Sequence, residues 1–248
     1  MLVEPELLGA GTRIVTFVLS GTALVLAAMS APWRVWLEDR ERQWVWLVSL
    51  GVLVGLWSMK AGFTPGLSLR FLLVTSLTLM HGWQLAVIGG AMALAVLNVV
   101  GMAAWPSFGA DLLCLVIVPA AVTVQIHQLV HARLPHNYFI YFFVTVFVGS
   151  ALAYNLAGLA RVGVLAASGS LDAAHVGPEY FAVLPLMSFG EAFVNGMVMA
   201  MAVVYRPQWV MSFDDRLYLR RHDGLKAKAP QVFTCGASFA CLAWKLTS

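Results

Sequence analysis

The sequence predicts an all-α polytopic membrane protein with about seven transmembrane helices. Three observations carry that fold class. Hydrophobic residues make up 60% of the 248-residue chain and charged residues only 11%, about half the charged share of an ordinary soluble domain. Mean hydropathy is +0.83. The apolar residues also gather into runs of helix length, separated by proline, glycine and charge. Too few charges remain to coat a soluble enzyme of this size. A disordered chain and a disulfide-stapled scaffold are excluded on the same figures. A bilayer core needs about 20 apolar residues per helical crossing, so 248 residues allow roughly six to eight. The organisation is a membrane domain over 1–206 and a basic cytoplasmic or interfacial tail over 207–248.

The first apolar run covers 12–31. Its leader carries Glu4 and Glu6, with Arg13 as its cation. A secretory signal has a basic leader, so this run reads as a retained helix. The loop 32–43 follows, with Arg34, Arg40 and Arg42. The second run covers 44–59 and ends at Lys60. A Gly-rich turn at 62–66 leads to the third run, 67–80, about 14 residues long and short enough for a partial span. His81 and Gly82 break the pattern before the fourth run, 83–104. Trp105-Pro106-Ser107 is a turn; the fifth run covers 110–130 and the sixth 138–160. A more polar loop at 161–178 precedes the seventh run, 180–205. Small residues spaced by four, Ala23, Ala27 and Ala31 in the first run and Gly51 and Gly55 in the second, indicate close helix contacts.

Cations sort the ends. With the N-terminus outside, 11 Lys and Arg fall on the cytoplasmic side and 4 on the outer side or in outer-half segments. The positive-inside rule therefore places the N-terminus outside and the C-terminus in the cytoplasm. In the tail, Trp209, Phe213 and Leu217 recur every four residues, as an interfacial helix or as an aromatic anchor for the last span. The stretch 232–244 is too short to span. Cys114 reads as a small core residue; Cys235 and Cys241 have no zinc-type spacing and little to support a disulfide.

Ionisable groups inside a membrane are costly and default to functional candidates. Here they are Arg70, Asp111, Arg161 and Glu191. Asn195 follows Glu191 at i+4, so the two share one helix face. Ser188, Ala192, Gly196 and Ala200 form an adjoining small-residue stripe. Two readings stand for Glu191 and Asn195. They belong to a solute, ion or coupling site, or they are a structural pair in which Arg70 neutralises Glu191. Asp111 and Arg161 lie near outer helix ends, where facing water is the simpler reading. His127 and His131 are four apart and are weak metal candidates, with no carboxylate at helical spacing. An interfacial polar edge accounts for them, and His81 reads as structural. The chain has no GxxxxGK[ST], HExxH or GxSxG motif and no arginine row, which argues against an ATPase, a hydrolase and a channel. The sequence predicts no catalytic residue. Net charge is only +3, with no basic face that would call for nucleic acid.

Short motifs in a fixed order point further. Pro65-Gly66-Leu67-Ser68-Leu69-Arg70-Phe71-Leu72-Leu73 resembles the Gly-rich start of the third helix in the CbiM/NikM permeases. These are the substrate-binding components of energy-coupling factor transporters for cobalt and nickel. His81-Gly82-Trp83 resembles their "GPW" turn, and Phe108-Gly109-Ala110-Asp111 their "GAN" segment. Phe189-Gly190-Glu191-Ala192-Phe193-Val194-Asn195-Gly196 resembles their last-helix "GEAL" motif. The resemblance covers roughly residues 60 to 205. It implies a seven-helix fold with the N-terminus outside and a solute bound near the outer face. It also implies a transmembrane coupling component and cytoplasmic ATPases as partners, in a bacterial inner membrane. A divalent cobalt or nickel ion is then a candidate substrate; no bound cofactor is called for. Two positions depart from the family. Metal-specific members begin Met-His, where this chain has Leu2, and carry a further ligand His where it has Arg70. Arginine is a permanent cation and does not ligate a metal. The alternative is therefore a non-transporting assembly or structural subunit on the same fold.

Overall fold

The computed structural model describes residues 8–59, 61–64, 67–69, 71–135, 137–169 and 178–212. Among these the chain is helical apart from one short hairpin. Helix α1 is Ala10–Ser30. Pro32 precedes a short α2, Trp33–Glu38, and α3 is Arg40–Ser58. Asp39 separates them and caps α3: its Oδ1 accepts from the Glu41 and Arg42 N–H at 3.1 and 3.3 Å. Strands β1 (Ala61–Thr64) and β2 (Leu67–Leu69) pair antiparallel. Helix α4 is Val74–His81 and α5 is Trp83–Val99. Gly82, at φ +85°, takes the left-handed turn between them. Helix α6 runs Trp105–Arg133, α7 Tyr138–Ala167 and α8 Pro178–Tyr205. A 3₁₀ turn follows at Pro207–Trp209.

Among the described residues, four helices are long and apolar enough to cross a membrane: α1, α6, α7 and the 183–205 part of α8. Helix α3 has 19 residues but begins Arg-Glu-Arg-Gln, and α5 has 17. Two of the long helices are not regular. A π stretch occupies Leu113–Ile117 in α6 and another Tyr141–Val148 in α7. Each widens the helix where buried side chains of both pack inward.

Helix α4 sits at the centre. All eight of its residues are buried, and it packs against α5, α6, α7 and α8. The main core cluster forms around it, with Leu53 and Trp57 of α3, Leu94 and Leu97 of α5 and Leu112 of α6. The ends of the bundle sort cleanly. At one end the Met211 and Ser212 N–H groups donate to the Met80 and Leu79 carbonyls, each at 3.1 Å. There too Tyr141 Oη lies 2.6 Å from Ser212 Oγ, and Trp209 Nε1 donates to Glu41 Oε1 at 2.9 Å. At the opposite end Thr12 Oγ1 donates to the Ala167 carbonyl at 3.2 Å. A Cβ on Gly109 of α6 would stand 2.8 Å from the Phe17 backbone of α1, so glycine is required for that approach.

Several sequence expectations are corrected. The run 67–80 is not one helix: its first residues form β2, and only Val74–His81 is helical. The loop 32–43 contains α2 and the first turn of α3. The fourth run ends as helix at Val99 rather than 104. The polar loop begins later than 161, because α7 continues to Ala167. Gly51 and Gly55 make no internal helix contact: nothing lies within 4 Å of a Cβ built on either. The stripe on α8 does pack inward, with Ser188, Ala192 and Gly196 buried. Arg70, Cys235, Cys241 and the tail beyond Ser212 lie outside the described residues.

Candidate functional site

The site begins where the third segment stops being helical. Leu73 has φ +51°, and among the described residues it is the one non-glycine residue with positive φ. Leucine adopts this region rarely, so something must hold it there. Helix α8 does. The Leu72 N–H donates to Glu191 Oε2 at 2.8 Å and the Leu73 N–H to Oε1 at 2.7 Å. Asn195, one turn on, accepts from the Ser76 N–H at 2.9 Å and from Ser76 Oγ at 2.7 Å. Its own amide donates to Glu191 Oε1 at 2.7 Å and to the Glu191 carbonyl at 2.9 Å. Glu191 is 1% exposed and Asn195 0%.

The physical logic is that of a helix cap supplied from another helix. The first turn of α4 has N–H groups without intrahelical acceptors. A leucine stands at its cap position, with no side-chain oxygen to offer. Inside a membrane those donors cannot turn to water. Glu191 and Asn195 take them, and the partial positive charge of the helix N-terminus faces the carboxylate. Two further contacts fix the same segment. Trp57 Nε1 on α3 donates to the Phe71 carbonyl at 3.1 Å. A Cβ on Gly190 would lie 3.2 Å from the Phe71 ring, so the small residue lets that ring seat on α8. Phe71, Leu72 and Leu73 are thus fastened to α3 and α8 together.

The expected shared face of Glu191 and Asn195 is therefore present, and the described partners of Glu191 are backbone N–H groups and the Asn195 amide. Arg70 lies outside the described residues, so a pairing between it and Glu191 does too. Both Glu191 oxygens already accept hydrogen bonds, which leaves this carboxylate poorly placed to ligate a metal. Nothing in the amino-acid pattern marks Leu72 and Leu73, because a backbone donor leaves no trace in a Leu-Leu pair. Ser76 was findable, as a short polar residue in the first turn of a buried helix.

Asp111 and Arg161 do not face water. They are 1% and 7% exposed, on α6 and α7. Ser107 Oγ donates to Asp111 Oδ2 at 2.9 Å across the first turns of α6. Both charges act electrostatically on the buried, free Cys114, so the three stand near one another, away from the Glu191 cap. His127 is buried too, rather than interfacial. Its ring stacks on His131 with centroids 6.3 Å apart and meets Tyr141 edge-on at 6.1 Å. His81 is buried at the end of α4, with Nε2 3.3 Å from Ser49 Oγ. Among the described residues no group of three or more His, Cys, Asp or Glu is placed to hold a metal ion.

No curated protein and no solved structure matches the chain. A family model does, over residues 3–209, described as the cobalt uptake substrate-specific transmembrane region. The matched span includes α1 through α8, the α4 break and its Glu191–Asn195 cap. On that match, the chain belongs to the CbiM family of transmembrane cobalt-uptake components.

Proposed function

We propose that the chain is the substrate-specific membrane subunit of an energy-coupling factor type ABC transporter in a bacterial inner membrane. The observation that carries this is the family match across residues 3–209. The subunit would cross the membrane with seven segments, α4 and its hairpin forming the incomplete one. Its N-terminus would face outward and its C-terminus the cytoplasm, as the charge sorting supports. A transmembrane coupling component and cytoplasmic ATPases on other chains would drive it. The cargo is a small solute; cobalt or nickel ions are the first to try.

In this reading Glu191 and Asn195 brace the segment that follows Arg70, rather than touch the solute. Arg70 is proposed as a solute-binding residue from its place in the sequence, and Asp111 belongs to the outer half of the bundle. The CbiM/NikM resemblance puts Leu2 and Arg70 where metal-specific members have ligand histidines. That departure favours a second reading, a non-transporting assembly or structural subunit on the same fold.

One pair of measurements separates them. The protein is expressed with a coupling component and ATPases, and cells are assayed for radiolabelled cobalt and nickel uptake. The purified protein, free of metal-binding tags, is loaded with either ion and analysed by elemental mass spectrometry. ATPase co-purification with ATP-dependent uptake supports the transporter reading. Absence of both, with a stable membrane protein recovered, supports the structural subunit. His127 and His131 enter as a control: unchanged metal content in the double alanine variant removes them as ligands.

A further inference from the structure

The end of the bundle where α2, the α4–α5 turn and the segment after α8 meet contains a cleft. Its walls are of two kinds. Val45, Met80, Leu85 and Met211 are apolar; Arg42, His81 and Trp36 bring hydrogen-bonding groups. Asp39 engages Arg42 through Nε at 2.9 Å, and a guanidinium carries further donors on its terminal nitrogens. The Trp36 indole N–H is buried and has no hydrogen-bond acceptor. Its ring is wedged edge-on between Trp33 and Trp46, at 6.0 and 5.5 Å. Trp209 has already given its N–H to Glu41, so it serves as a wall, with the Arg206 guanidinium 6.0 Å over its ring.

The level of the cleft in a bilayer follows from its neighbours. Trp33, Trp36, Trp44, Trp46 and Trp209 all belong to this end of the bundle, and indoles concentrate at the headgroup level. A site there that pairs donors with an apolar wall fits an amphiphile bearing a negative charge. We propose that this cleft binds the phosphate headgroup of an anionic phospholipid, with Arg42 and the Trp36 N–H as donors and Val45 and Leu85 against its acyl chains. Trp36 gives the argument its direction: a residue that lines the cleft beside a cation, and whose buried indole N–H has no acceptor, calls with that cation for an anion. The proposal stands apart from the transport reading and survives its failure.

The test uses the full chain, extracted in mild detergent from membranes containing phosphatidylglycerol and phosphatidylethanolamine. Retained lipid is read by native mass spectrometry, and thermal unfolding is followed as each lipid is added back. Phosphatidylglycerol is expected to be retained and to raise the melting temperature, while phosphatidylethanolamine does neither. Arg42→Gln and Trp36→Phe should each lower retention by about fivefold, one hydrogen bond's worth. Arg34→Gln, a cation outside the cleft, should leave retention unchanged. Trp36→Phe keeps the aromatic wall, so it stays informative should Arg42→Gln fail to fold. Retention as high as the parent's in both cleft variants overturns the proposal, as does equal stabilisation by both lipids. Inorganic phosphate stabilising as well as phosphatidylglycerol would assign the site to a free anion instead. Higher lipid retention after truncation at Ser212 would show the chain's own tail as the occupant.

Discussion

Glu191 and Asn195 accept from the backbone donors at the start of α4. Glu191→Ala would orphan the Leu72 and Leu73 N–H groups in a site closed to water. At about 1–3 kcal/mol per orphaned buried group, the expected loss for the two is about 2–6 kcal/mol of stability. Glu191→Gln keeps one acceptor oxygen and turns an amide donor toward the other N–H, for about 1–3 kcal/mol. Asn195→Ala loses the Ser76 acceptor at a similar cost. Unfolding of the three variants in detergent gives the order directly, with Glu191→Ala lowest. A Glu191→Ala protein as stable as the parent would refute the cap. The sequence made half of this legible. A carboxylate and an amide at i, i+4 in an apolar helix announce a buried polar face. Their partners are backbone amides, and amino-acid type does not encode those. The sequence therefore pointed to Arg70 as the nearest opposite charge.

At the scale of the element, the third segment shows the limit of apolar periodicity. A run such as 67–80 is compatible with a buried helix or with an extended stretch followed by a short helix. The structure takes the second option, with β2 at Leu67–Leu69 and α4 starting at Val74. The break is fixed by α8 and α3 rather than by any residue within the run. The small-residue motifs show the same limit in reverse. Gly51 and Gly55 carry the familiar spacing yet have open space around them, while Gly109, outside any such motif, lies against the α1 backbone. Substitution should separate the two. Gly109→Ala pushes a methyl into Phe17 backbone atoms and should cost about 1–3 kcal/mol through forced displacement of α1. Gly51→Ala fills open space in a helix interior and should be neutral or stabilising by up to about 1 kcal/mol. Melting temperatures of the two variants check this. A tolerated Gly109→Ala would mean that α1 and α6 do not approach as described.

For the whole molecule, the order of the apolar runs was legible because each is bounded by charge, glycine or proline. The buried positions of Asp111, Arg161 and His127 were not, because one sequence shows which residues are costly to bury without showing which helix covers them. Membrane sidedness rests on cation counting, and the fold makes that count testable. Arg34, Arg42, Arg133 and Arg206 lie toward the end where Ser212 meets α4, and Met102 lies in the turn between α5 and α6, toward the other. Seven of the 11 cations counted as cytoplasmic follow Tyr205, so the count leans on the tail, whereas a labelled loop reports its own side. Single cysteines at Arg34, Met102 and Arg206, in a chain with its native cysteines replaced, should sort by compartment. A membrane-impermeant maleimide applied to intact cells should label Met102→Cys and spare Arg34→Cys and Arg206→Cys; permeabilised cells should label all three. The inverse pattern would turn the protein over, placing the Trp36–Arg42 cleft in the outer leaflet and the hairpin ahead of α4 in the cytoplasm. A solute arriving from outside would then meet the wrong end of the bundle. The uptake reading would fall with the orientation, while the Glu191 cap, being internal to the bundle, would stand either way.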